Sequence, residues 1–347
     1  MTLSPVFRSS EALAALESKG YLDRLAPALA AERGYVRRLH ALLPETIDRR
    51  FLSPADEPQS DVLFLQDHFF LILFDSVYQS LGCPEDRRTL YGLLNLCVRG
   101  VVASGDNLFD DESKMDLPLE VGGGSRFASI LQMLCFDHLI TAVLESHAPP
   151  GRRERAAAFR RELLTSLAVI GSLEGSEEAG VDGVLPVQEM IERVHQVRGG
   201  RLFALAFIAP LIWEPPEAKE PWQVARQGIF DLGTAFQMVD DVTDFEFDLG
   251  RGSHNLLAAQ VVQAGRPDEL RAFHRLVQSP PGDERIVEVD FVQSAREVLL
   301  RAEQEARCGF ERLAQVGHWF SPDDAGLFVR AIAGAAGDER ILAVAKG

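Results

Sequence analysis

The sequence predicts an all-α protein, a large single-domain helical bundle over residues 1–347 with a central cavity. Three observations predict it: apolar residues recur at helical period nearly throughout, strand-like alternation is almost absent, and prolines divide the chain into roughly ten blocks with short connections. Leu13, Leu16, Leu22, Leu25 and Leu29 form the first amphipathic stripe. Pro44, Pro54, Pro84, Pro118, Pro149–Pro150, Pro186, Pro215–Pro216 and Pro280–Pro281 then mark successive helix ends. Tyr91–Ala103 and Arg201–Ile212 are apolar on nearly every face and read as central helices, and central helices can enclose a cavity. Phe328, Ala331, Ile332 and Ala335 give the closing stripe.

With 347 residues and 46% hydrophobic content the chain can bury a large core. Only the proline-containing stretch Phe51–Gln59 and the run Gly122–Gly124 interrupt the pattern, so nothing calls for a second domain. A net charge of −17 argues against nucleic acid or an anionic membrane as the main partner, since both demand a basic face. An anionic substrate stays within reach if divalent cations bridge it. Cys83, Cys97, Cys135 and Cys308 have no CxxC spacing, so neither a zinc site nor a disulfide framework is indicated, and a cytoplasmic location is expected. Met1–Ser10 lacks an export signal, and Gln66, Asp67 and His68 interrupt the apolar stretch Val62–Phe74; no transmembrane segment is expected.

Two acidic clusters carry the chemistry. The run Phe236-Gln237-Met238-Val239-Asp240-Asp241-Val242-Thr243-Asp244-Phe245-Glu246-Phe247-Asp248 ends an apolar helix that begins near Ile229. Asp240, Asp244 and Asp248 recur every fourth residue, so their carboxylates stand about 6 Å apart on one helix face, close enough to share hard divalent ions and a diphosphate. Like charges at this spacing destabilise a helix, and a functional reason is therefore sought. Upstream, Ser104-Gly105-Asp106-Asn107-Leu108-Phe109-Asp110-Asp111-Glu112 ends another apolar helix with Asp106 and Asp110 at the same spacing. In helical bundles such carboxylates project inward from facing helices to build metal sites.

At this point the chain resembles the trans-prenyltransferase (polyprenyl synthetase) and class I terpene synthase superfamily. Phe236–Asp244 resembles its second aspartate-rich motif, and Asp106–Asp110 resembles the first, with Asn107 in place of an aspartate. Arg198-Gly199-Gly200-Arg201-Leu202-Phe203 is similar to the Lys-Thr-Gly-x-Leu-Phe segment, and Arg251-Gly252-Ser253-His254-Asn255 to Lys-x-Thr-x-Pro. The resemblance implies an isoprenoid-synthase fold and an Mg²⁺-dependent enzyme, with three ions when diphosphate is bound. Asp106, Asp110, Asp240, Asp241, Asp244 and Asp248 would then be metal ligands, with Asp106, Asp110, Asp240 and Asp244 central to catalysis. Arg198 and Arg251 would hold the diphosphate of an allylic prenyl substrate. Metals and arginines together would stabilise the leaving group as the C–O bond breaks.

Two departures shape the expected activity. Chain-elongating relatives hold isopentenyl diphosphate with basic residues where this chain has Pro58-Gln59-Ser60-Asp61-Val62 and Glu112-Ser113-Lys114-Met115-Asp116-Leu117-Pro118. A second diphosphate needs such cations, so the expected reaction is cyclisation of one C15 to C20 allylic diphosphate, a length that Val101 and Val102 would permit. The alternatives are prenyl transfer, to isopentenyl diphosphate or another acceptor, and a non-catalytic subunit of a prenyl synthase. Glu174, Glu177 and Glu178 read as a solvated helix end and receive no role, while His254, Phe69, Phe70 and Phe109 are candidates for the cavity wall. A homodimer is compatible with the family, though no interface is legible.

Overall fold

The structure, a computed structural model, describes residues 10–54, 60–109, 113–147, 152–177, 180–278 and 285–346. In chain order the helices are α1 (Ser10–Ser18), α2 (Tyr21–Thr46), α3 (Asp61–Ser80), α4 (Glu85–Phe109), α5 (Ser125–His147) and α6 (Arg152–Ser176). There follow α7 (Val187–Met190), a π-helical segment (Ile191–Arg201), α8 (Leu202–Ala204), α9 (Ile208–Trp213) and α10 (Lys219–Thr243). The chain closes with α11 (Phe245–Arg251), α12 (Leu256–Ala264), α13 (Pro267–Gln278), α14 (Val287–Asp290), α15 (Val292–Gln315), α16 (Ala325–Ile332) and α17 (Gly334–Lys346). Among the described residues there is no strand, only a bridge between Leu52 and Leu119. The all-α expectation is met.

The chain forms two compact units, neither of them a continuous stretch of sequence. Among the described residues the first comprises those of Leu22–Leu163 and Leu205–Trp222, and the second those of 10–21, Leu164–Ala204 and 223–346. In unit 1, α4 and α5 pack along each other over a core that includes Tyr78, Tyr91, Phe207 and Trp222. The buried Tyr78 hydroxyl donates to Ala206 O at 2.6 Å and accepts from Asn95 Nδ2 at 3.0 Å, so its polar end is satisfied where no water reaches. By length and apolarity α5 could cross a membrane, a property the sequence reading passed over. One of its faces nevertheless packs in the unit through Gln132, Phe136, Leu139, Ile140 and Val143, while Phe127, Ile130 and Leu134 lie exposed.

Unit 2 is organised around α10. Its glycines let neighbouring backbones approach closely: a methyl at Gly233 would sit 2.4 Å from the carbonyl oxygen of Gly199, and one at Gly199 would sit 2.1 Å from Gly233 O. The same exclusion holds where Gly228 crosses Gly309 of α15, at 2.8 Å in each direction. Apolar helices fill the rest, with Leu232, Ala235, Val239, Phe245, Phe291, Val298 and Phe310 all buried.

Two details depart from the sequence reading. Pro44, expected to end a helix, lies inside α2 close to its C-terminus. Arg201–Ile212, expected as one helix, is broken into the end of the π segment, α8, a 3₁₀ turn over Leu205–Phe207 and most of α9. Its burial is as expected, since Phe203–Pro210 are buried throughout.

Candidate metal and diphosphate site

The site in unit 2 is built where α10 gives way to α11. Thr243 is the last residue of α10, and Asp244 occupies the cap of α11 with φ −108° and ψ 15°. The carboxylate ladder therefore runs across a bend: Asp240 precedes it, Asp244 stands at it and Asp248 follows. The i to i−4 pattern survives locally, with Asp244 N donating to Asp240 O at 2.8 Å and Asp248 N to Asp244 O at 2.9 Å.

Crowding keeps these acids from ionising freely. Loss of water pushes the Asp240 carboxyl up to about 8, and the charges of Asp244 and Asp241 add to the effect. Burial raises Asp248 well above the usual carboxylate range, with Asp241 and Asp240 contributing. Desolvation in the crowded site raises Asp244 as well, although it is the most exposed of the three. A set of desolvated hard oxygens whose charges repel one another suits a divalent cation. Among the described residues no three His, Cys, Asp or Glu side chains converge closely enough to hold an ion by themselves.

Asp241 faces the other way. It is 2% exposed, and its carboxylate accepts from His195 Nε2 at 2.8 Å, from Leu256 N at 2.5 Å and from Gln237 Nε2 at 3.4 Å. The Leu256 amide opens α12, so the charge also lies at that helix's positive end. Three protein donors already serve Asp241, and its environment is that of an anchor beneath the ladder. Asn255 completes the anchorage: its Nδ2 donates to Asp241 O at 2.7 Å and to Asp248 Oδ2 at 2.8 Å, while its Oδ1 caps α12 through Leu257 N and Ala258 N. An Asn before an apolar helical run is the sequence signal that could have singled it out.

Arg198 is committed within the protein. Its Nε and Nη2 donate to the two oxygens of Glu174 at 2.6 and 3.1 Å, and Nη2 also reaches Glu177 Oε1 at 2.9 Å. Burial alone would lower the arginine pKa, but Glu174, Glu177 and Asp241 outweigh it and hold the guanidinium above its usual range. The second Glu177 oxygen accepts from His254 N at 3.1 Å. Glu174 and Glu177, read from sequence as a solvated helix end, are thus ion-pair partners, and Glu177 is buried. Glu178 lies outside the described residues. The π-helical segment supplies both His195 and Arg198, and such segments recur at functional sites. Arg251 ends α11 exposed, its guanidinium 5.3 Å from the centre of the Phe247 ring.

In unit 1, Asp106 stands exposed on the last turn of α4, while Asp110 lies outside the described residues. Asn107 is 1% exposed and works as a clip: its Oδ1 accepts from Lys114 N at 3.0 Å, and its Nδ2 donates to Lys114 O at 2.7 Å and Ser129 Oγ at 3.3 Å. Gln132 holds the following residues by accepting from Asp116 N and Leu117 N. An aspartate at 107 could accept but not donate, so asparagine is what the clip requires. Asn107→Asp should lower stability by about 2 kcal/mol, because the partly buried Lys114 carbonyl would meet a carboxylate instead of an N–H. Thermal melting at pH 7 measures this, and an unchanged Tm would refute the clip. Of the other candidates, Phe69 is buried core, Phe70 is half-buried against it and Phe109 is exposed.

These elements build the all-helical isoprenoid-synthase fold. Among solved structures the chain is similar to a polyprenyl synthetase from Streptomyces coelicolor A3(2), with 16% identity, a TM-score of 0.60, and coverage of 89% of this chain and 98% of that one. A decaprenyl diphosphate synthase from Rhodobacter capsulatus matches at 17% identity and TM-score 0.56, over 89% of this chain and 99% of that one. A polyprenyl synthase from Caulobacter crescentus CB15, complexed with calcium and isoprenyl diphosphate, matches at 16% identity and TM-score 0.52, covering 90% and 97%. At these identities the likeness establishes the fold. No family model matches the sequence, and no curated protein does.

Proposed function

We propose that the protein is a divalent-metal-dependent enzyme that ionises an allylic prenyl diphosphate, with prenyl transfer favoured over the cyclisation expected from sequence. The observation that carries the reading is the ladder Asp240, Asp244 and Asp248, three carboxyls at four-residue spacing that are all raised by desolvation, with the charge of neighbouring aspartates adding to it. Prenyl transfer is favoured because the three solved structures named above are prenyl synthases, one of them complexed with calcium and isoprenyl diphosphate.

Asp240 and Asp244 would hold Mg²⁺, and Asp248 supports them from its bond with Asn255; Asp106 and Asp110 of the first cluster are assigned metal binding by their motif alone. Magnesium is held by one or two carboxylates and completes its shell with phosphate oxygens and water, which suits acids that cannot chelate an ion alone. When bound, the metal supplies Lewis acidity toward the departing diphosphate. Asp241 and Asn255 keep the ladder in place, and Gln237, which donates to both Asp240 and Asp241, steadies their carboxylates. In the reaction the allylic C–O bond breaks with its electron pair leaving on diphosphate. The acceptor's double bond then attacks the carbocation, and loss of a proton restores neutrality. We assign Arg251 to the diphosphate, and Arg198 only once its glutamates release it.

Cyclisation is the second reading, and Arg198 favours it: with that cation bound to Glu174 and Glu177, less positive charge remains for a second diphosphate. Incubation with Mg²⁺ and allylic diphosphates of ten, fifteen and twenty carbons, with and without isopentenyl diphosphate, separates the two. A longer prenyl product that requires isopentenyl diphosphate is the expected outcome. Hydrocarbon or terpene alcohol from one diphosphate alone would replace transfer with cyclisation, and no turnover with any donor would favour a non-catalytic subunit. A homodimer belongs to the same proposal and is read by light scattering on the same preparation.

A further inference from the structure

Besides Asp241, the acidic run at the end of α10 carries a second carboxylate that does not join the ladder, Glu246. Glu246 points to the opposite side of α11, where its oxygens accept from Arg340 Nη1 and Nη2, both at 2.8 Å, and from Ile286 N at 2.9 Å. Arg340 comes from α17 and is 3% exposed. Beyond Glu246 its Nη1 donates to Val242 O at 2.8 Å and Thr243 O at 3.0 Å, and its Nε to Glu288 Oε1 at 3.1 Å.

Those two carbonyls belong to the final turn of α10, where a helix has no internal donors left and carries partial negative charge. A buried guanidinium there satisfies the carbonyls and offsets the field of the neighbouring aspartates. A planar fork with five N–H groups can serve two carbonyls and two carboxylates together, whereas an ammonium cannot. The approach is close: a methyl on Gly337 would sit 2.7 Å from Thr243 Cγ2, so α17 lies directly against the bend.

We propose that α17 is part of the metal-binding apparatus, with Arg340 a positioning residue that fixes the bend between α10 and α11 and hence the placement of Asp244 and Asp248. The inference rests on the reading that the ladder holds divalent cations. Behind the ladder, Arg340 grips both sides of the bend, Val242 and Thr243 before it and Glu246 after it.

Calorimetric titration of the full chain with Mg²⁺ and inorganic diphosphate, beside far-ultraviolet circular dichroism, tests this. Arg340→Met should keep its helix content and bind Mg²⁺ at least tenfold more weakly, with Arg340→Lys recovering only part of the loss. Arg312→Met is the control, because Arg312 pairs with Asp231 of α10 upstream of the ladder. It should lower the melting temperature and leave Mg²⁺ affinity unchanged. Wild-type affinity in a folded Arg340→Met, or an equal loss in Arg312→Met, would overturn the inference. If Arg340→Met does not fold, Glu246→Gln decides: a severalfold loss supports the role and unchanged affinity overturns it. Absence of Mg²⁺ binding by the wild type would remove the proposed function, and this inference with it.

Discussion

Asp240→Asn should be more stable than the wild type at pH 8 in chelator, and should no longer respond to Mg²⁺. The Asp240 carboxyl is pushed up to about 8 in the folded chain by desolvation and by Asp244 and Asp241, against about 3.9 when unfolded. Between those values the folded state binds more protons than the unfolded state, so this group's contribution to stability falls as pH rises. Each pKa unit corresponds to about 1.4 kcal/mol. With partial access to water and sharing among three coupled acids, a gain of about 2 kcal/mol is expected on removing the charge, or roughly 5 °C in Tm. The gap should close toward pH 5. Mg²⁺ should raise the wild-type Tm increasingly from pH 6 to 8, because ionised acids bind it, and should not raise that of the variant. Melting curves with chelator and with Mg²⁺ across this range are the measurement. A gap independent of pH would mean that Asp240 does not carry the strain.

The second large effect concerns Arg198. Glu174→Gln with Glu177→Gln should raise Mg²⁺-dependent affinity for inorganic diphosphate about tenfold while lowering Tm. Buried ion pairs are destabilising to break, by about 3–5 kcal/mol when one partner is left unpaired, although glutamine oxygens would still accept from the guanidinium. Freed from two full negative charges, Arg198 could give a diphosphate charge-assisted hydrogen bonds, each contributing about 1.5–3 kcal/mol. Calorimetry reads the affinity and melting reads the loss of stability. Affinity that stays level while Tm drops would make Arg198 a pin between α6 and the π-helical segment, with no part in diphosphate binding.

The ladder was legible because acids at every fourth position on an apolar helix contradict what a helix tolerates, and the contradiction asks for a metal. Asn255 stood before an apolar run in a recognisable capping position, so its presence near the ladder was readable and its bonds to Asp241 and Asp248 were not. The partners of Arg198 were misread. Glutamates near a helix end are usually solvated, and only the folded chain brings Glu174 and Glu177 against a residue more than twenty positions away. Arg340 lies still further along the chain from Glu246, and no local pattern joins them. Asn107 looked like a degraded ligand because the comparison was with a motif; its three hydrogen bonds to Lys114 and Ser129 supply another reason for asparagine.

The glycine crossings of α10 have a consequence for how this sequence can change. At Gly199 with Gly233, and at Gly228 with Gly309, the intruding methyl would meet a carbonyl oxygen, which has no rotamer to retreat into. Side chains that merely line α10 can be exchanged for others of similar volume, since packing tolerates such swaps. Variation in unit 2 should therefore be generous in shape and chemistry at lining positions and nearly frozen at these four, which contribute no functional group. A library randomised around α10 would recover diverse apolar residues and the same four glycines, a fingerprint of backbone proximity written by the smallest residue.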